Sequence, residues 1–351
     1  MNSLRHQILD VALAVAAFVK PHRLLCPVLC GEGLILVMHR VVPEKSYPRI
    51  AANSRIEITL EFLEELINYF VSIEYEIISL DSVYQRLTDE VTGRPFVCFT
   101  FDDGYVDIFD NIHPLFMKYQ LPYAVYVVSD FPDRKSVLWW YMLEDLVLQH
   151  NALSFRYAEQ DFSFKTRNAT EKEAAYAKIR ELILSGPQDQ MTEVLDAVFS
   201  PYSITAADYN DLQMNWNQVV ELSREPLVTI GAHTVHHYNL KQLTADQVRW
   251  EIQTSKERLE EKIGRPIEHF AYPYGSRDEV GKREFDLAAE SDFKTMVTVR
   301  EGNIFSEHAA HLSCLPRVEI TGRHQNLTLV DVRRCGVVSL LRHGLSRVIT
   351  E

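Results

Sequence analysis

From Leu34 onward, short apolar runs alternate with amphipathic stretches of helical period, and this alternation lasts to Ile320. Few architectures accept such a pattern. Leu34-Ile-Leu-Val-Met38 is apolar at every position, as a strand covered on both faces must be. Thr59 caps an amphipathic stretch to Phe70, Glu76–Ile78 reads as a short strand, and Ser79 opens a helix to Leu87. Phe96–Phe101 is the strongest strand; a helix over Ile112–Tyr119 and a strand over Tyr123–Val128 follow it. Further strands are expected over Leu227–Ile230, His269–Tyr272, Thr295–Val299 and Leu315–Ile320. Thr244-Ala-Asp-Gln247 is a capping box, and its helix runs to Ile263, where Gly264 and Pro266 stop it. Some seven β/α units of this kind specify a barrel, whose chemistry belongs on the loops at the strand C-termini.

The alternation breaks between Val128 and Leu227, so residues 139–225 read as a largely helical insertion, a lid or subdomain. Trp139–Val147 is expected to be helical, Leu153–Phe164 a small hairpin, and Ala169–Leu184 a charged helix. The barrel itself is assigned to residues 34–325. Residues 1–33 read as an N-terminal helical segment and 326–351 as a C-terminal amphipathic helix. The run Val11–Val19 is shorter than the roughly 20 residues a membrane span needs, and no clean signal-peptide cleavage site follows it. A net charge of −13 argues against nucleic acid as a partner. Five cysteines, scattered through 351 residues, make no disulfide framework and favour a reducing compartment. The expected location is therefore the cytoplasm; the basic, amphipathic termini are expected to pack against the barrel, the alternative being peripheral contact at the inner membrane face.

Two segments carry chemistry. Thr100-Phe-Asp102-Asp103-Gly104 ends the strongest strand, and two adjacent carboxylates are a costly way to end an apolar strand unless charge is needed there. Ile230-Gly-Ala-His233-Thr-Val-His236-His237 also follows an apolar strand. Its histidines 233 and 237 stand four apart, a spacing that one helical turn would place on the same side; His236 falls off that face. One carboxylate and two imidazoles form a three-ligand set with open positions for water and substrate. The second carboxylate can then act as general base towards a water at the metal.

On these motifs the chain resembles the polysaccharide deacetylase (NodB-homology) family. The resemblance implies a distorted (β/α) barrel of fewer than eight units and hydrolysis of N-acetyl, or O-acetyl, groups on a poly-, oligo- or lipid-linked saccharide. It makes Asp102 the base and Asp103, His233 and His237 the ligands of a divalent metal, usually Zn2+, with Co2+, Ni2+ or Mn2+ as substitutes. Phe270-Ala-Tyr-Pro273-Tyr274-Gly275 matches the family's Pro-Tyr-Gly segment, which walls the acetyl pocket and offers the Tyr274 N–H to the oxyanion. Trp139, Tyr274, Pro273 and His39 are the expected substrate contacts.

The sequence departs from the family in three places. An arginine common before Pro-Tyr-Gly is Ala271 here, the Asp-x-x-Asp-Trp segment is not recognisable, and a late Leu-x-His is replaced by Leu315-Pro316-Arg317. Arg317 is therefore expected to pair with Asp102 from another strand. The general acid falls to His311, His308 or a water. Two other readings stand beside hydrolysis of an acetylated sugar. One is an inactive glycan-binding barrel; the other is a metal hydrolase acting on a non-sugar amide or ester.

Overall fold

The computed structural model describes residues 22–44, 47–89 and 93–350. Seven parallel strands form the barrel: Gly33–Met38 (β1), Phe96–Phe101 (β2), Tyr123–Val127 (β3), Val228–Ala232 (β4), His269–Ala271 (β5), Thr295–Glu301 (β6) and Leu315–Glu319 (β7). Around the barrel the order is β1-β7-β6-β5-β4-β3-β2, and β2 returns to pair with β1 over its full length, from Gly33↔Phe96 to Met38↔Phe101. The sheet therefore closes. On its other edge β2 meets the two-residue strand Glu76–Ile77 through Phe96 and Val97, then β3 through Thr100 and Phe101.

Side-chain parity along these strands sorts two cores. Ile35, Phe96, Cys98, Ala124, Tyr126, Ala271, Val297 and Leu315 pack together inside the barrel. Their neighbours Leu34, Leu36, Val97, Phe99, Phe101, Val125 and Phe270 face outward under the helices. Thr59 and Ser79 cap helices Leu60–Ser72 and Leu80–Thr88 by accepting from Phe62 N and Ser82 N. Thr244 and Gln247 form the capping box of helix Ala245–Ile263, and Gly264 closes that helix with φ 77°.

The inserted segment has its own core, built from helices Trp139–Gln149, Ala169–Ser185 and Met191–Phe199 with the hairpin of Ala152–Tyr157 and Gln160–Lys165. The helix Trp216–Arg224 differs from the expected boundary, because it buries Val219 and Leu222 in the barrel core instead. A buried ionic cluster fastens the insertion down. Arg49 binds Glu57 and Glu144, and Asn53 Nδ2 donates to Glu144 and to Trp140 O. At the C-terminus, two short helices, Leu327–Arg334 and Val337–Arg342, stand where one amphipathic helix was expected, because Gly336 turns the chain at φ 74°. The apolar run Val11–Val19 lies outside the described residues; the helix after it is His22–Leu29. Among the described residues no helix is long and apolar enough to cross a membrane.

Candidate metal and catalytic centre

Asp102 follows β2 with the inward parity of Phe96, Cys98 and Thr100, so it caps the barrel interior at the C-terminal rim. Arg317, fully buried on β7, shares that interior and grips both Asp102 oxygens at 2.7 Å. Arg317 is itself held by the Thr298 carbonyl at 2.8 Å and the Thr100 hydroxyl at 3.1 Å. Ala271, Ala124 and Cys98 are the small interior neighbours that leave room for this long side chain. Alanine before the Pro-Tyr-Gly segment and arginine on β7 are thus two halves of one packing solution. Burial opposes ionisation of Asp102, but the Arg317 guanidinium outweighs it and holds the carboxyl below its usual value.

The chain turns at once after Asp102. Asp103 has φ 76° and Gly104 φ 92°, which swings the Asp103 carboxylate off the strand line. Asp103 Oδ1 lies 3.3 Å from His233 Nε2 and 3.3 Å from His237 Nε2. All three side chains are buried. His233 Nδ1 donates to the Ala271 carbonyl at 2.7 Å, which leaves the Nε2 lone pair facing Asp103. Despite its burial, Asp103 Oδ1 makes no well-formed hydrogen bond among the described residues. Three acceptor atoms that converge in this way fit a divalent cation. Asp103, His233 and His237 are the single such group of His, Cys, Asp or Glu among the described residues. Burial resists ionisation of Asp103, yet His237 and His233 hold it well below the usual carboxylate value. Burial pushes the His237 pKa down, towards the neutral ring a metal ligand needs.

The histidine spacing works without the helical turn expected for it. Residues 233–237 are a loop with Thr234 at φ 63° and His237 at φ 62°, and His237 N donates to Thr234 Oγ1 at 3.1 Å. The loop is braced from two sides. Its carbonyls at Thr234 and Val235 accept from Ser129 N and Asp130 N at 3.0 and 3.2 Å. Glu251, on helix Ala245–Ile263, accepts from Val235 N and His236 N at 2.9 and 3.1 Å. His236 turns away from the ligand set. Its Nδ1 meets Glu251, its Nε2 lies 3.5 Å from Asp130, and its ring stacks between Tyr238 and Trp250. Asp130 and Asp133 also anchor Arg258, and Trp216 Nε1 donates to Asp133 at 2.6 Å. This bracing pair was missed in the sequence. Its signal was present: two carboxylates three apart, directly after the apolar strand β3.

Tyr274 sits at φ 58° with its ring 4.6 Å from that of His237, and its backbone N–H makes no hydrogen bond among the described residues. Pro273 is buried beside it. Trp139 and Trp140 are 3% and 9% exposed and pack edge to face. With Phe131, Met191 and Leu195 they wall a cavity that reaches His237. Trp140 Nε1 donates to Tyr105 Oη at 3.0 Å. His39, between β1 and Arg40, lies within electrostatic range of Asp102, Asp103 and His237. His308 and His311 are not at this site. The connection from β6 carries them to the strand N-termini before β7 begins, where Met296 N donates to the Leu312 carbonyl. His308 is spent on structure there, with its Nε2 3.0 Å from the Ile349 carbonyl.

Comparison with known proteins bears on the barrel and on part of the sequence. Residues 186–288 match the family model described as polysaccharide deacetylase. No curated protein matches the chain. Among solved structures, the deacetylase PplD of Streptococcus pyogenes, in complex with acetate, is 17% identical with a TM-score of 0.57, covering 86% of this chain and 97% of that one. IcaB of Ammonifex degensii is 15% identical at TM-score 0.55, over 86% of this chain and 97% of its own. A de-N-acetylase of Aggregatibacter actinomycetemcomitans is 16% identical at TM-score 0.53, over 86% and 99%. Residues 186–288 are thus similar to the polysaccharide deacetylase family model, and the whole chain shares its closed barrel with solved deacetylases.

Proposed function

We propose that the chain removes acetyl groups from an N-acetylated, or O-acetylated, saccharide, with a divalent cation, Zn2+ first among the candidates, held by Asp103, His233 and His237. The observation that carries this reading is the buried Asp103 Oδ1, without a well-formed hydrogen bond and 3.3 Å from two imidazole nitrogens. A cation bound there supplies Lewis-acid polarisation of the acetyl carbonyl and lowers the pKa of water beside it towards about 7.

The chain's own residues do the rest. Asp102 accepts the proton of the attacking water. Arg317 keeps that carboxylate ionised and fixes its direction through two 2.7 Å contacts, so orientation, more than basicity, is what the pair provides. The free N–H of Tyr274 is offered to the oxyanion that forms as the carbonyl is attacked. Apart from the ligand His233, His39 is the histidine within electrostatic range of both aspartates, and it takes the role of general acid towards the leaving amine. Trp139, Trp140 and Tyr274 wall the acetyl pocket.

The test is acetate release from a panel of acetylated saccharides. Asp102→Asn should lower it by about 100-fold or more while the protein still binds metal. Full activity in that variant would sink the base assignment. Contact with a membrane surface is a finer part of the proposal, motivated by Leu25 and Val28 on the first described helix, Leu341 on the last and Leu345 in the turn after it, all about half or more exposed. Flotation with anionic vesicles tests it, and a protein that stays at the bottom of the gradient excludes it.

A further inference from the structure

Three of the five cysteines meet in space although they lie far apart in sequence. Cys26 and Cys30 belong to the helix that leads into β1, and Cys335 ends helix Leu327–Arg334. One guanidinium contacts two of the sulfurs: Arg334 Nη1 lies 3.3 Å from Cys26 Sγ, and its Nη2 lies 3.5 Å from Cys335 Sγ. The two backbones touch here as well. A Cβ on Gly336 would come within 2.2 Å of the Leu29 carbonyl, and Asn303 Nδ2 bridges the Cys30 and Arg334 carbonyls at 3.1 and 2.6 Å. A cavity of about 400 Å³, lined by Cys26, Pro27, Cys30, Ile73, Asp331 and Arg334, opens beside two of the three cysteines.

We propose that Cys26 is a reactive thiol that small oxidants or disulfides modify from this cavity, and that Cys335 resolves the product as a Cys26–Cys335 disulfide. Position selects Cys26. It lines the cavity and takes the Arg334 Nη1 contact, whereas the Cys30 thiol donates to the Gly31 carbonyl at 3.7 Å and Cys335 is buried away from the cavity lining. The neighbouring Cys30 and Cys335 thiols and the Arg334 guanidinium lower the pKa of Cys26. Arg334 also argues against a metal, because a guanidinium set between the sulfurs repels a cation.

Geometry selects the partner. Cys30 N donates to the Cys26 carbonyl at 2.9 Å, so these two stand one helical turn apart. Their Cβ atoms are then about 5–6 Å from each other, whereas a disulfide needs about 3.5–4.5 Å. Cys335 approaches from another element and carries no such restriction. With peroxide, the Cys26 thiolate attacks one oxygen, the O–O bond breaks, and a sulfenic acid and hydroxide form. The Cys335 thiol then displaces water from that sulfur, so two thiols are oxidised and one peroxide is reduced to two waters.

The experiment uses the full chain, alkylated with iodoacetamide at pH 6.5 and, separately, treated with equimolar hydrogen peroxide before peptide mapping. At this pH a free thiol is only about 1% thiolate, so Cys26 should alkylate about tenfold faster than glutathione. Peroxide should yield a Cys26–Cys335 crosslink. Cys30→Ser should keep that crosslink, and Cys335→Ser should instead leave a Cys26 sulfenic acid that dimedone traps. Alkylation of Cys26 no faster than glutathione, or a crosslink mapped to Cys26–Cys30, overturns the proposal. Acetate release plays no part in these readouts, so failure here leaves the deacetylase reading standing.

Discussion

Arg317 shows how much one buried side chain can decide. Its guanidinium and the Asp102 carboxylate are 0% and 1% exposed, so neither charge has water to fall back on. The Asp102 carboxyl is held below its ordinary value in the folded chain. It therefore adds stability that is present at neutral pH and is lost as the pH falls below about 4, through the folded value. Arg317→Met inverts this. It strands a buried carboxylate and should cost about 3–5 kcal/mol at pH 7. The loss should shrink as the pH is lowered and Asp102 takes up a proton. Urea unfolding at pH 7 and pH 4.5 reads the difference, and a pH-independent loss would show that Arg317 serves only as filler. The need for Arg317 was legible in the sequence from a gap at Ala271. His311 misled because adjacency to a strand does not say which end of the barrel a loop occupies, and the parallel connection takes it to the wrong one.

At the scale of elements, the ligand set depends on a loop that a helix holds. Glu251 spends one oxygen on the N–H groups of Val235 and His236 and the other on the His236 ring. It touches no ligand atom, yet it fixes the segment between His233 and His237. Glu251→Ala should weaken Zn2+ binding by about 10–100-fold, the usual range for groups that orient ligands. Zinc titration of the variant, with its melting curve as a check on the fold, gives the answer; unchanged affinity would assign Glu251 to packing alone. The two histidines were legible as a pair because four-residue spacing after an apolar strand is unusual. The loop geometry was not, since it relies on left-handed backbone at Thr234 and His237, which no glycine announced. The helix caps at Thr59, Ser79 and Thr244 were readable for the opposite reason: each is a local hydrogen bond between residues three apart.

Across the whole molecule, the barrel and the inserted segment form separate cores joined by buried charge. Arg49 is the joint. It reaches Glu57 on the barrel side and Glu144 in the helix whose tryptophans wall the site, with side-chain exposures of 10%, 6% and 4% for the three residues. Arg49→Ala should cost about 3–5 kcal/mol. Amide exchange should rise in Trp139–Gln149 and Ala169–Ser185 while the barrel strands stay protected, and uniform loosening of both cores would refute a local joint. The alternation of strands and helices made the barrel readable from one end to the other. Contacts between distant segments left no local trace, and so neither the Arg49 cluster nor the meeting of Cys26 with Cys335 could be read from spacing.

Whether Asp103, His233 and His237 hold one divalent cation is decided by calorimetric titration of metal-free protein with Zn2+. One ion should bind per chain, and Asp103→Ala should weaken binding by about 100-fold or more, on the order of 3 kcal/mol for a lost charged ligand. Binding that is unchanged in Asp103→Ala, or no binding by the intact chain, would contradict this assignment.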